Sequence, residues 1–244
     1  MITLKNVSKT YEMGDTQVYA LNDLNIHIDE DEFLALMGPS GSGKSTALYI
    51  IGALLTPTMG EVTINGTSIY EMSQRARARF RRENVGFIFQ SFELVPYLTA
   101  IENVMLPLYL SGVPRTKHFD MAEAVIQEVG LAERAFHKPS ELSGGEQQRV
   151  CIARGIVNYP SILLADEPTG NLDQETGCQI IHLLQTLSKS NGFTLIMVTH
   201  DSNIACRASR ILRMTDGKVV DDQPKAIIKG GDNDSQAEKE AFKE

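Results

Sequence analysis

An α/β fold with a mostly parallel central sheet is what this sequence predicts, and three observations carry the prediction. Short β-branched and apolar runs alternate with helical patterns; the first strands follow one another without long helices between them; and from about residue 91 to 160 the periodicity becomes helical throughout. Alternation implies parallel strands joined by helical crossovers. Strands that follow each other directly imply a smaller antiparallel sheet beside the main one.

Taken in order, residues 2–7, 24–28 and 61–64 read as strands of that smaller sheet. The run 33–37 reads as a core strand, followed by a glycine-rich loop and a helical pattern through Ala47, Leu48, Ile50, Ile51 and Leu54. Residues 85–89 form the next core strand. The helical stretch after it is punctuated by Pro96, Pro107, Pro114 and Pro139, and is read as a lobe inserted into the α/β core. Core strands return at 162–165 and 194–198. One domain over 1–229 is expected, with its α/β core at about 1–90 and 161–229 and the helical subdomain at about 91–160. The remainder, 230–244, carries five acidic residues and one bulky apolar side chain, Phe242, and reads as an acidic flexible tail. No internal repeat is visible.

Composition narrows the function classes. The chain has 244 residues, 42% of them apolar and 22% charged, which suits a folded globular protein with a sizeable core. A net charge of −8 argues against a general nucleic-acid binder, because neutralising phosphates takes a cationic surface. The run holding Arg75, Arg77, Arg79, Arg81 and Arg82 has one aromatic, Phe80, and is read as a solvated or membrane-proximal helix face. The longest stretch without a charged side chain, 45–60, contains Gly52, Pro57 and Gly60 and is too short to span a bilayer. Lys5, Lys9, Glu12 and Asp15 interrupt the N-terminus before a signal-peptide core can develop. Cys151, Cys178 and Cys206 are odd in number and widely spaced, so reduced, mostly packed thiols and a cytoplasmic location are expected.

The chemistry begins at Gly38-Pro39-Ser40-Gly41-Ser42-Gly43-Lys44-Ser45-Thr46, a G-x-x-x-x-G-K-S string between a strand and a helix. Glycines allow successive backbone N–H groups to turn inward around phosphate oxygens, and the helix start adds positive potential. Lys44 supplies a point charge to the outer phosphates and Ser45 a hydroxyl ligand for Mg²⁺. The strand 162–165 ends in Asp166-Glu167, at the edge where such sheets bind ligands. Adjacent carboxylates there repel unless a cation or proton relieves them. Asp166 can hold Mg²⁺ through its water shell, and Glu167 can polarise an attacking water.

Leu142-Ser143-Gly144-Gly145-Glu146, followed by Gln147-Gln148-Arg149, resembles the signature of ATP-binding cassette (ABC) ATPases. Around it the rest of that family's set stands in order: Tyr11 before the phosphate loop, Gln90 after the strand 85–89, Gly170-Asn171-Leu172-Asp173 after the carboxylate pair, and Thr199-His200-Asp201 after the strand 194–198. The resemblance covers about residues 1–222 and implies a P-loop NTPase ABC cassette with an N-terminal antiparallel β-subdomain and an inserted α-helical subdomain. Residues 88–92 and 165–173 look like the lipoprotein-release and macrolide-export branch.

By the same resemblance, ATP and Mg²⁺ are the cofactors. Tyr11 stacks on adenine, Gln90 ligates Mg²⁺ and senses the γ-phosphate, and His200 donates to that phosphate. Ser143, Gly144 and Gly145 open a helix facing the γ-phosphate held by a second copy of the chain, and Asp173 belongs to the nucleotide site. Cys151 and Gly155 occupy positions where the family commonly has alanine, and both are small enough to pack there. The implied protein is an ATP-hydrolysing subunit powering a separate integral membrane permease, at the inner face of the cell membrane. Residues 92–110 would be its docking surface and export or membrane extraction its direction. The alternatives weighed are an ATP-driven switch with a non-transporting membrane partner, of cell-division type, and a soluble ABC ATPase acting on DNA or ribosomes. The second lacks its usual coiled-coil insertion or doubled cassette.

Overall fold

The protein is described by a computed structural model covering residues 1–14 and 16–224; the expectation for 230–244 lies outside the described residues. Two long strands come first, β1 (Ile2–Met13) and β2 (Thr16–Ile28), paired antiparallel from Ile2↔Ile28 to Met13↔Thr16. They extend well beyond the runs legible in the sequence, because their distal halves are exposed on both faces and lose the apolar alternation. Next come β3 (Phe33–Met37), α1 (Lys44–Ile51), β4 (Met59–Ile64) and β5 (Thr67–Ser68). The antiparallel sheet has the order β2-β1-β4-β5. Helix α1 ends at Ile51 rather than at Leu54, since Ala53 adopts a left-handed conformation (φ 56°) just beyond the Gly52 C-cap.

The remaining elements are α2 (Gln74–Asn84), β6 (Val85–Ile88), α3 (Ala100–Leu110), α4 (His118–Glu128), α5 (Gly144–Ile156), β7 (Ile162–Asp166), α6 (Gln174–Asn191), β8 (Thr194–Thr199), α7 (Ser202–Ala205), β9 (Arg210–Thr215) and β10 (Lys218–Pro224). The core sheet has the order β10-β9-β3-β8-β7-β6, parallel throughout except for the antiparallel β9–β10 edge. Strands β3, β7 and β8 are buried at every position, as parallel strands covered on both faces must be. Their alternate side chains divide between two cores. Ala35, Leu163 and Met197 pack on the side of α3 to α6, whereas Leu36, Leu164 and Val198 pack with α1 and the antiparallel sheet. The sheet is thereby clamped between two apolar layers, and its carboxyl edge, where β3, β7 and β8 end, becomes a rigid shelf.

One expectation is corrected: Cys151 is buried, but Cys178 and Cys206 are exposed. Cys178 is exposed on α6, flanking the buried stripe of Gly177, Ile180 and Ile181, and Cys206 caps the short helix α7. Among the described residues, no helix is long and apolar enough to cross a membrane.

Candidate functional site

Between β3 and α1 the chain folds around an anion-sized hollow. Gly43 has φ 95°, and a Cβ built there would sit 2.2 Å from the Ala20 carbonyl oxygen, so only glycine fits. At Gly41 (φ 80°) no atom lies within 4 Å of such a Cβ, and the loop opens outward. Its back is braced from far along the chain: the Gly217 N–H donates to the Ser42 carbonyl (3.1 Å), and the Asn22 N–H donates to the Gly217 carbonyl (3.0 Å). Helix α1 starts at Gly43 with no side-chain cap and no acidic residue in its first turn, which leaves N–H donors and the positive helix end uncommitted.

Lys44 is buried, and its ammonium donates to the carbonyls of Gly38 (2.9 Å) and Pro39 (2.7 Å) and to Ser42 Oγ (3.4 Å). Burial lowers its pKa, opposed by the nearby charges of Glu167 and Asp166. A cleft of about 380 Å³ opens over the loop, lined by Ser40, Gly41, Gly43, Lys44, Ser45 and Thr46, with Ala20, Glu167 and His200 on its other walls. Gly38, Pro39 and Ser42 form the back of the loop and hold the lysine.

The two carboxylates are separated by direction. Asp166, buried at the end of β7, accepts from Ser45 Oγ at 3.0 Å and from the Tyr49 hydroxyl at 2.7 Å, one hydrogen bond to each oxygen. Glu167 leaves the strand in a left-handed conformation (φ 46°), its N–H bonded to the Val198 carbonyl, and turns into the cleft. There His200 Nδ1 lies 3.2 Å from Glu167 Oε1. A strained backbone at this point aims one acid inward and its neighbour outward, which relieves the repulsion expected of the pair. Tyr49 was missed by the sequence reading. It lies one turn along α1 from Ser45, on the same face, and that i, i+4 spacing was the signal for it. Burial and Asp166 together push its pKa up to about 12, so it remains a donor. The paired Ser45 hydroxyl and Asp166 carboxylate are oxygen ligands that fit a hard divalent cation such as Mg²⁺.

Other sequence candidates lie beside the cleft or away from it. Gln90 follows β6 and is exposed; its carbonyl accepts from Asn171 Nδ2 (2.9 Å), and a Cβ on Gly170 would lie 3.0 Å from its amide nitrogen. It therefore rests against the turn that begins at Glu167. Tyr11 is exposed on β1 opposite Val18, with the Lys9 ammonium 5.2 Å from its ring centre. Ser143 is the N-cap of α5, forming a reciprocal capping box with Glu146. The Ser143 N–H donates to Glu146 Oε2 at 2.8 Å, and this bond foremost holds the Glu146 carboxyl below its usual pKa. Cβ atoms on Gly144 and Gly145 would lie 3.3 Å from Leu172 and 2.7 Å from Thr176, respectively. Asp173 caps α6, accepting from the N–H and hydroxyl of Thr176, which depress its pKa. Within one chain, Tyr11, Ser143, Gly144, Gly145 and Asp173 do not line the cleft.

Comparison with known proteins follows the same outline. A family model described as ABC transporter matches residues 21–170. An uncharacterized ABC transporter ATP-binding protein of Methanocaldococcus jannaschii, MJ0796, is 50% identical over 226 residues, covering 90% of this chain and 95% of its own. The lipoprotein-releasing system ATP-binding protein LolD of Syntrophus aciditrophicus is 45% identical, covering 90% of this chain and 99% of its own. The macrolide export ATP-binding/permease protein MacB of Bdellovibrio bacteriovorus is 46% identical over 91% of this chain but only 34% of that longer protein. Among solved structures, a dimeric post-hydrolysis state of the MJ0796 cassette bound to ADP and Pi superposes with a TM-score of 0.85 at 45% identity. It covers 92% of this chain and 99% of that one.

Proposed function

The chain belongs to the ABC transporter family as an ATP-binding cassette ATPase, and from that membership we propose that two copies close head to tail on two ATP molecules to drive a separate membrane permease. The observation that carries this reading is the division of the site: the cleft is lined by Lys44, Ser45, Glu167 and His200, with Asp166 bonded behind Ser45, while the Ser143 helix start of the same chain does not line it. A two-fold pair brings each Ser143 start to the other copy's cleft, and it accounts for one chain carrying two half sites. The related cassette MJ0796 has been solved as a dimer.

In the closed pair Lys44 and the open start of α1 hold the outer phosphates. Magnesium, when bound, neutralises charge on the β- and γ-phosphate oxygens, and Ser45, Asp166 and Gln90 are the residues that would hold it. Tyr49 fixes the Asp166 carboxylate from behind. Glu167 takes a proton from the attacking water, and His200 orients Glu167 while donating toward the γ-phosphate. Tyr11 offers its ring to adenine, and Asp173, by holding the start of α6, supports the turn through which the two copies meet.

An exposed groove of about 440 Å³ runs beside α3, with Phe89, Leu106, Pro107 and Leu110 on its walls and Arg81 and Arg82 at its rim. It suits a short amphipathic segment of the permease. Helix α5 reaches this region from the Ser143 start: Cys151 Sγ and Arg154 both donate to the Phe92 carbonyl, at 2.9 and 2.8 Å. Closure at Ser143 is thus felt at the groove. The LolD and MacB relatives favour lipoprotein, macrolide or antimicrobial-peptide export or extraction over a non-transporting switch, with the cassette held at the membrane through its permease. The reading is tested by the concentration dependence of turnover together with affinity capture. Specific activity should rise with protein concentration, and an untagged membrane protein should co-purify with the tagged chain and be lost in Leu110→Glu. Turnover by a demonstrable monomer, or capture unaffected by Leu110→Glu, would overturn it.

A further inference from the structure

Helix α2 stands out as a cationic strip on an acidic protein. Residues 71–84 hold Arg75, Arg77, Arg79, Arg81 and Arg82 against Glu71 and Glu83, in a chain of net charge −8. No residue of α2 is buried. Its arginines are nonetheless of two kinds. Arg77 lies over the Tyr70 ring at 5.1 Å, and Arg81 donates to the Ala53 carbonyl at 2.9 Å, so these two fasten the helix to the body. Tyr70 is itself tied to the backbone at Ile50 and Leu55. Arg75, Arg79 and Arg82, at i, i+4 and i+7, form the opposite stripe and are exposed; Arg79 alone has an acidic partner, Glu83 at 2.8 Å.

We propose that this outer stripe of α2 binds the anionic headgroup surface of a lipid bilayer. The three guanidinium groups span about 10 Å of helix, a spacing that meets separate phosphate groups on a plane rather than one small anion. An apolar group adjoins the stripe: Arg82 shares its groove with Leu54, which is exposed. Cations beside exposed apolar groups are the combination that interfacial binding uses. Elsewhere the chain has an excess of acid that repels an anionic surface, so contact through this face also sets orientation. The permease reading enters only in saying which face looks toward the bilayer.

Sedimentation with vesicles tests the inference on the full chain alone, without any permease. Vesicles containing one third phosphatidylglycerol in phosphatidylcholine should pull the protein down at low salt, and pure phosphatidylcholine vesicles should not. Each basic side chain near an anionic leaflet is worth roughly fivefold in partitioning. The double substitution Arg75→Gln with Arg79→Gln should therefore weaken binding by about 25-fold, with ATPase turnover and circular dichroism unchanged. Binding equal on neutral and anionic vesicles, binding unaffected by the double substitution, or a stronger arginine-dependent affinity for duplex DNA at the same ionic strength would overturn it. Failure here leaves the co-purification of a permease untouched. Loss of that co-purification would equally leave vesicle binding standing.

Discussion

Two helix starts, at α1 and at α5, are assigned to phosphate in the proposed reaction, and they are finished in different ways. Helix α1 opens on Gly43, with no side chain over its first N–H groups and no acidic residue in its first turn. Helix α5 opens on Ser143, where a hydroxyl and the Glu146 carboxylate cap one another. Capping contributes about 1 kcal/mol to a helix, so α1 forgoes that stabilisation and α5 keeps it. The difference follows from what each start must do alone. In the proposed reaction the α1 start holds a triphosphate within its own chain and needs every donor free, helped by the buried Lys44. In the same proposal the α5 start completes a site on another chain and can keep its cap while Gly144 and Gly145 remain small enough for close approach.

The largest effect expected lies on the α1 side, where the chemistry is assigned. Glu167→Gln keeps size and hydrogen bonding but cannot accept a proton, and turnover should fall about a hundredfold to ten-thousandfold. ATP should still bind, and size-exclusion chromatography with Mg²⁺ and ATP should show an accumulated dimer; parental phosphate release would remove Glu167 from its role. Next comes the α5 side. Ser143→Arg should lower turnover by roughly a hundredfold, the scale of one lost phosphate-stabilising contact, while equilibrium ATP binding to the monomer is unchanged. Mixing Ser143→Arg with Lys44→Ala subunits should restore one competent site per mixed pair, and no recovery at all would break the division between the two starts.

A smaller effect separates holding the metal from holding the nucleotide. Tyr49→Phe removes one of the two donors to Asp166, and a hydrogen bond to a charged group is worth about 2 kcal/mol. The Mg²⁺ concentration for half-maximal nucleotide binding should rise about thirtyfold by that measure, with Mg²⁺-free nucleotide affinity unaltered. The smallest effect sharpens the comparison most. Glu146→Gln can still cap α5 but withdraws a negative charge from a start that receives an anion. ATP-driven dimerisation, followed by light scattering, should tighten about two- to fivefold. Weaker dimerisation would mean that the carboxylate, rather than the bare helix start, serves the partner.

Legibility in the sequence followed the same line between local and distant. The phosphate loop and the Asp166-Glu167 pair were readable because each is a contiguous string whose chemistry is complete within a few residues, and the Ser143 start because its contiguous string resembles a family signature. Tyr49 was hidden inside an apolar helical pattern, although its spacing from Ser45 marked it. The β9–β10 edge went unread because its strands are half exposed and lack a continuous apolar run, with only Leu212 and Met214 buried in β9. Gln90, legible only through family resemblance, depends for its position on Gly170 and Asn171, some eighty residues later. Exposure of Cys178 and Cys206 was misjudged because a small residue carries no periodic signal of its own.

The bracing of the phosphate loop bears on how the protein is made. Ser42 is bonded by Gly217, Gly217 by Asn22, and Gly43 fits only against Ala20, so the loop is finished by segments at opposite ends of the described chain. During synthesis the loop leaves the ribosome early and the β9–β10 turn late, separated by about ten to thirty-five seconds at ordinary elongation rates. Through that interval the growing polypeptide carries the complete binding string without the turn that supports it. Nascent chains arrested before residue 217 should retain ATP poorly, and nucleotide capture becomes a mark that the β9–β10 turn has been made.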